Sequence, residues 1–326
     1  MKRRDTVYAL LALAAAPLAA DAQQQSKIWR IALLRFGNRA SAASLLPSLE
    51  LGLRELGYVE GRNLILEQRY ADGSTERLTS LATELVRLKV DVIVASDSEA
   101  VRAAQKVTST IPIVMSSMID PVASGFVKSL ARPGGNITGI SNMTGESISK
   151  LVELLIATAP KISRIALLLS PANPAHASMR ARIERAAAIT SIRVLVLEAE
   201  TPQQIESGFV MMAREGAQAL IVATDAFFVQ QRLQISALAL NNRLPSISGL
   251  TLYAKAGLMM SYGSDLAANW RQSARYIDKI LKGAKPADLP IEQSTTFRFV
   301  INLKTAKALG IAISKELLFR ADEVIE

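Results

Sequence analysis

One pentapeptide constrains the fold more than any other feature of the chain. Arg30 to Leu34 reads RIALL, and Arg164 to Leu168 reads RIALL again, 134 residues later. Each copy is a short, continuously apolar run, the pattern of a strand buried on both faces. The echo does not stand alone. DVIVAS, Asp91 to Ser96, is answered by ALIVAT, Ala219 to Thr224. IPIVMS, from Ile111, is answered by LPSISG, Leu244 to Gly249. The order is the same in both halves and the offset stays close to 130 residues.

Helical patterns separate these runs. Leu45, Leu49, Leu53 and Leu56 recur at helical spacing before Gly57, a residue suited to a helix stop. Ser74 to Leu88 and Ser98 to Val107 follow in the first half, with a strand at Asn63 to Tyr70. In the second half the helices are Ala175 to Ile189 and Pro202 to Arg214, with a strand at Ile192 to Glu198. Apolar strands alternating with helices give parallel sheets covered on both faces. The fold class is therefore α/β, with two doubly wound parallel-sheet lobes of one design.

The segment ARPGGNITGISN, Ala131 to Asn142, reads as the joint between the lobes, since Gly134 and Gly135 accept backbone angles other residues avoid. Its glycines have the wrong spacing for a dinucleotide loop, and no helix begins directly after them. The tail adds a strand in AGLMMSYG (256–263), a helix over Asp265 to Leu281, the linker KGAKPADLP and a strand in FRFVIN (297–302). One late strand for each lobe predicts three crossings and a hinge. Lobe 1 would hold residues 28–141 and 256–286, and lobe 2 residues 142–255 and 287–326.

Residues 1–22, MKRRDTVYALLALAAAPLAADA, read as a secretory signal peptide. Lys2, Arg3 and Arg4 form a basic start, Val7 to Ala20 is apolar but too short to span a bilayer, and Ala20-Asp21-Ala22 is a cleavage site. The expected product is exported to the periplasm by Sec, with Arg3-Arg4 leaving the twin-arginine route open. The chain has no cysteine, which excludes disulfides, thiolate metal sites and a lipidated-cysteine anchor. The formal charge of +9 invites a nucleic-acid reading. The Lys and Arg are scattered along amphipathic helices with no long basic run, which argues against one.

In open parallel sheets, ligands bind beyond the carboxyl ends of the strands. The residues there are short hydroxyl, amide and carboxylate groups that cap helices and present polar atoms to a cleft. The candidate ligand-binding residues are Ser96, Ser98, Ser117, Asp120 and Ser141 in the first half, and Asn173, Thr224, Asp225 and Gly249 in the second. No catalytic set accompanies them. There is no G-x-S-x-G elbow, no H-E-x-x-H and no P-loop. The one histidine, His176, falls inside a helix pattern, where a surface or helix-dipole role is expected. No cofactor and no metal are expected.

The stretches ELGYVEGRNLILEQRYADG, LVRLKVDVIVAS, TIPIVMSSMIDPVASGFVKSLARPGGNITGIS, GLMMSYGSDLA and YIDKILKGAKPADLPIEQSTTFRFVINLKTAKALG resemble the ABC-transporter substrate-binding family that includes tryptophan and tyrosine binders. The resemblance covers residues 28–326. It implies a type I periplasmic-binding-protein fold and capture of a small polar, amino-acid-like or aromatic-acid solute between the lobes. It also implies delivery by a monomer to an ABC permease in the inner membrane, with no enzymatic step. Two alternative readings stay open for this chain: an exported small-molecule sensor presenting its ligand to a receptor, and an enzyme on the same fold. Asp120-Pro121-Val122, Asn173-Pro174 and Thr224-Asp225 match the family pattern. The turn Asp97-Ser98-Glu99-Ala100 departs from it, since the family there reads Gly-Thr-Pro-Ala. Two carboxylates at this turn disfavour a ligand carboxylate on that helix end.

Overall fold

The computed structural model describes residues 27–143, 145–173 and 175–326. The signal peptide expected at residues 1–22 lies outside them. The first half runs β1 (Trp29–Arg35), α1 (Arg39–Ala42), α2 (Leu46–Glu55), β2 (Leu64–Tyr70), α3 (Thr75–Arg87), β3 (Val92–Ala95), α4 (Ser98–Val107), β4 (Ile113–Ile119) and β5 (Ile137–Met143). The second runs α5 (Gly145–Thr158), β6 (Arg164–Leu169), α6 (Ala175–Ile189), β7 (Arg193–Glu198), α7 (Pro202–Arg214), β8 (Ala219–Val222), α8 (Ala226–Gln230), α9 (Arg232–Asn241), β9 (Ser246–Ser248), α10 (Thr251–Ala256) and β10 (Met260–Ser264). Then come α11 (Leu266–Leu281), β11 (Glu292–Gln293), β12 (Phe297–Asn302), α12 (Leu303–Leu309), α13 (Lys315–Arg320) and β13 (Glu323–Ile325).

The two RIALL copies occupy the same place in two sheets of the same order. The first sheet is β11-β5-β4-β3-β1-β2 and the second β13-β12-β10-β9-β8-β6-β7. Each contains the doubly wound order 2-1-3-4-5 in its own strand count, parallel throughout that part. The pentapeptide explains its own burial. Successive side chains on a strand point to opposite faces. Ile31 and Leu33 pack with Leu49, Leu53 and Ile277, whereas Ala32 and Leu34 pack with Leu78, Leu85 and Val101. In the second copy, Ile165 and Leu167 pack with Leu151 and Ile183, and Ala166 and Leu168 pack with Phe209 and Ile235. A strand covered by helices on both faces has no polar side to alternate with.

Local chemistry sets the helix ends. The side chains of Ser74, Asp97, Thr201, Asp265 and Ser314 each cap the helix that follows. Thr201 and Gln204 form a reciprocal capping box. Gly57, at φ 89°, takes the left-handed turn that ends the α2 region.

The tail differs from the sequence expectation in two ways. Strand β10 belongs to the second sheet, not to lobe 1. It pairs parallel with β9, Met260 opposite Ile247, and antiparallel with β12, Met260 opposite Ile301. It is the counterpart of β5 in the repeat. The segment around 287–293, expected in lobe 2, returns to the first sheet, where β11 pairs parallel with β5. Helix α11 packs on the first sheet, with Trp270, Ala274 and Ile277 in its core. The chain therefore passes between the sheets after β5, between β10 and α11, and between β11 and β12. The Ala131 to Asn142 segment is not itself the joint, because β5 is a full strand of the first sheet and the first crossing follows Met143.

Candidate functional site

The carboxyl ends of both sheets face one cleft. The first lobe supplies Arg35 from the end of β1, Ser96 to Glu99 from the β3–α4 turn, Ser117 to Ile119 from β4 and Asn142 from β5. The second supplies Asn173 after β6, Thr224 to Ala226 after β8, and Leu250 and Leu252 after β9. Leu266 and Trp270 of α11 close one side. Of the sequence candidates, Ser96, Ser98, Ser117, Asn173, Thr224 and Asp225 line this cleft.

Asp120, Ser141 and Gly249 are not among the lining residues. Asp120 sits at φ 37° and accepts from the Ala123 amide at 3.0 Å and from the Ser178 hydroxyl at 3.1 Å. Ser178 belongs to α6, so this bond joins the two lobes beside the cleft. Ser141 is buried on β5, its carbonyl accepting from the Ser294 amide. Gly249 is where β9 meets β10, its carbonyl 1.8 Å from where a Cβ on Gly263 would stand.

The lobes are closed upon each other. Ile119 packs into the hydrophobic cluster of the second lobe, and Ala226 packs against that of the first. The Gln230 side chain lies over Gly73.

Carboxylates dominate the charge in the cleft. Asp97 caps α4, accepting from the Ala100 amide at 2.9 Å, and also accepts from the Phe36 amide at 3.1 Å and the Ser96 hydroxyl at 3.2 Å. Burial pushes its carboxyl up, while the Arg35 charge and these hydrogen bonds oppose that rise. Glu99, in the first turn of α4, is pushed up to about 8 by burial, by Asp225 across the cleft and by Asp97. Asp225 caps α8 through the Phe227 amide at 2.8 Å and accepts from Asn173 Nδ2 at 3.0 Å. Among the described residues of the lining, Arg35 is the one cation. Its guanidinium lies 5.5 Å from the centre of the Trp270 ring, and burial pulls its pKa down against the pull of Asp97.

Three polar atoms of the lining are buried without a partner: Arg35 Nε, Asn142 Oδ1 and Thr224 Oγ1. Buried polar groups ordinarily find one, and leaving a group unpaired costs about 1–3 kcal/mol. Such atoms around an open space are the mark of a site prepared for something that brings complementary groups.

His176 is not at the surface. It is 1 % exposed, its Nδ1 accepting from the Ser170 amide at 3.0 Å while Nε2 meets the Thr224 carbonyl at 3.1 Å. It ties the end of β6 to the turn that carries Asp225. A histidine in an apolar helix pattern gave no hint of this, because its partners lie on two other segments. Arg35, Glu99, Asn142 and Trp270 were not among the candidates either. Arg35 was within reach of the same rule, since it directly follows the first RIALL. Trp270 reaches the cleft only through the packing of α11.

Among the described residues no helix is long and apolar enough to cross a membrane, and no cluster of three metal-ligating side chains occurs.

Comparison with known proteins agrees with this geometry. The tyrosine-binding protein of Clostridioides difficile is 26 % identical over 259 residues, 79 % of this chain and 74 % of that protein. A conserved domain protein from Vibrio cholerae superposes with a TM-score of 0.86 at 26 % identity, covering 91 % of this chain and all of the other. An ABC domain from Streptococcus pneumonia in complex with L-Trp also gives 0.86, at 25 % identity, covering 91 % and 99 %. The two-lobed architecture is that of type I periplasmic binding proteins. The ABC transporter substrate binding protein family matches residues 31–325, nearly the whole described chain, and the protein belongs to that family.

Proposed function

We propose that the protein is exported to the periplasm, captures a small polar or amino-acid-like solute between its lobes, and delivers it as a monomer to an ABC permease in the inner membrane. The observation that carries this reading is the cleft itself. Both sheets turn their carboxyl edges to one space, and partnerless buried atoms from both lobes, Arg35 Nε, Asn142 Oδ1 and Thr224 Oγ1, surround it. A tyrosine-binding relative and an L-Trp complex among its structural neighbours support a small organic solute. The mechanism needs no covalent step. A ligand that touches both lobes stabilises the closed arrangement over an open one, by as much as it binds the closed form better. A micromolar ligand supplies about 8 kcal/mol in all, against an open–closed gap of a few kcal/mol. The closed pair of lobes is then the surface a permease reads.

The test is to purify the protein from a periplasmic fraction, determine its amino terminus and identify the molecules released on denaturation. A start near Gln23 and one released small molecule per chain are expected. An intact Met1 on cytoplasmic protein would contradict export.

A further inference from the structure

The amino end of a helix is where a ligand's carboxylate ordinarily docks. In this protein the end of α4 that faces the cleft is already capped by the chain's own Asp97. The Ala100 amide donates to Asp97 Oδ1 and the Val101 amide to the Asp97 carbonyl, and Glu99 stands in the same first turn. A ligand anion meets the Asp97 and Glu99 carboxyl groups there and finds no favourable field. Opposite stands Asp225, which already accepts from Asn173 and the Phe227 amide and still faces Glu99. Two carboxyl groups from different lobes thus line one cleft, and they can both be ionised at little cost only when a cation sits between them.

We infer that the cleft selects a ligand bearing a protonated nitrogen, seated between Glu99 of the first lobe and Asp225 of the second, with any acceptor group turned to the free Nε of Arg35 and not to α4. The inference deepens the solute-binding reading above and rests on it. Other charged groups bear on Glu99. Asp97 adds to the negative field, and Arg102, on the next turn of α4, works against it. Lys106, a turn further along, shares with Glu99 and Arg102 a second recess on the outer side of that helix. Arg35 lies on the β1 side and answers Asp97 first. Among the described residues of the cleft lining Arg35 is the one cation, and it answers Asp97, which leaves Glu99 and Asp225 for a ligand cation. Leu250, Leu252 and Val229 give the rest of the ligand an apolar bed. A ligand carboxylate is dispensable in this scheme.

Calorimetric titration of the ligand-stripped protein near pH 8 tests this with named probes. Tyramine and agmatine are cations, L-tyrosine a zwitterion, 3-(4-hydroxyphenyl)propionate an anion and D-galactose neutral. Binding is expected from at least one of the two cations, none from the propionate, and a loss of tenfold or more in Glu99→Gln and in Asp225→Asn. Retention of the fold in each variant is read from its melting curve. Binding of the propionate or galactose with neither cation bound overturns the charge assignment and leaves the solute-binding reading standing. So does cation binding that both variants leave unchanged. If no probe binds and denaturation of the unstripped protein releases no small molecule, the solute-binding reading falls together with the inference.

Discussion

Glu99 is the residue on which the site's chemistry turns. Its carboxyl is raised from 4.5 to about 8, first by burial and then by Asp225 and Asp97. At neutral pH the empty cleft therefore holds it mostly protonated. A cation placed beside it favours the ionised form and expels the proton. Binding of an amine to this site should release close to one proton at pH 7, seen as a dependence of the calorimetric heat on buffer ionisation enthalpy. Glu99→Gln should abolish that dependence. Folding is linked to the same group with the opposite consequence. Because the folded value lies above the unfolded one, Glu99 contributes stability in full below about pH 4.5, and that contribution is lost as pH rises through about 8. The ligand-free protein should melt at a lower temperature as pH rises across that window, and Glu99→Gln should flatten the trend. His176 makes a second residue-scale prediction. Its ring spans Ser170 and Thr224 inside the second lobe. His176→Ala leaves two backbone groups unpaired and a void, a cost of about 2–4 kcal/mol. Denaturant unfolding measures it, and ligand affinity should fall as well, because the Thr224-Asp225 turn loses its anchor.

The elements were the most legible part of the sequence, for a physical reason. Strands covered on both faces must be apolar at every position, so DVIVA and ALIVA declare themselves without any knowledge of their neighbours. Helices α3, α4 and α7 between them are amphipathic and capped by Ser74, Asp97 and Thr201, which fixes their starts. The placement of β10 was less legible. AGLMMSYG reads as a strand, but its sheet is decided by hydrogen bonds to β9 and β12, which lie apart from it in sequence. The repeat held the clue, because a lobe with five parallel strands in the first half calls for a fifth in the second. Close backbone contact gives a test at this scale. A Cβ on Gly263 of β10 would stand 1.8 Å from the Gly249 carbonyl, whereas one on Gly135 would meet nothing within 4 Å. Gly263→Ala should cost about 1–3 kcal/mol or more, as overpacking does. Gly135→Ala should leave the melting temperature nearly unchanged.

At the scale of the molecule, the duplicated design explains why the site lies between the lobes and why only part of it was readable. Two sheets of one topology that share a set of crossings present the same kind of edge to each other, so the ends of β1, β3, β4, β5, β6, β8 and β9 become walls of the cleft. The sequence names the residues after each strand. It does not say which of them the closed lobes bring together, and Asp120 shows the difference. It follows a strand in the expected place, yet its carboxylate holds Ser178 across the lobes instead of lining the cleft. Ser178→Ala removes this bond from the closed form alone. A hydrogen bond to a charged group contributes about 1.5–3 kcal/mol, less where water competes. Ligand affinity should therefore weaken about two- to tenfold through faster release, with the melting temperature of the ligand-free protein little changed.

The central claim is that a small molecule closes two lobes of one design. Small-angle X-ray scattering tests it most directly, on protein stripped of its small molecule by unfolding and refolding, before and after the released molecule is returned. The radius of gyration should fall on addition, to the value calculated for the closed arrangement with Ser178 against Asp120. Identical scattering with and without a molecule that calorimetry shows to be bound would contradict the clamp.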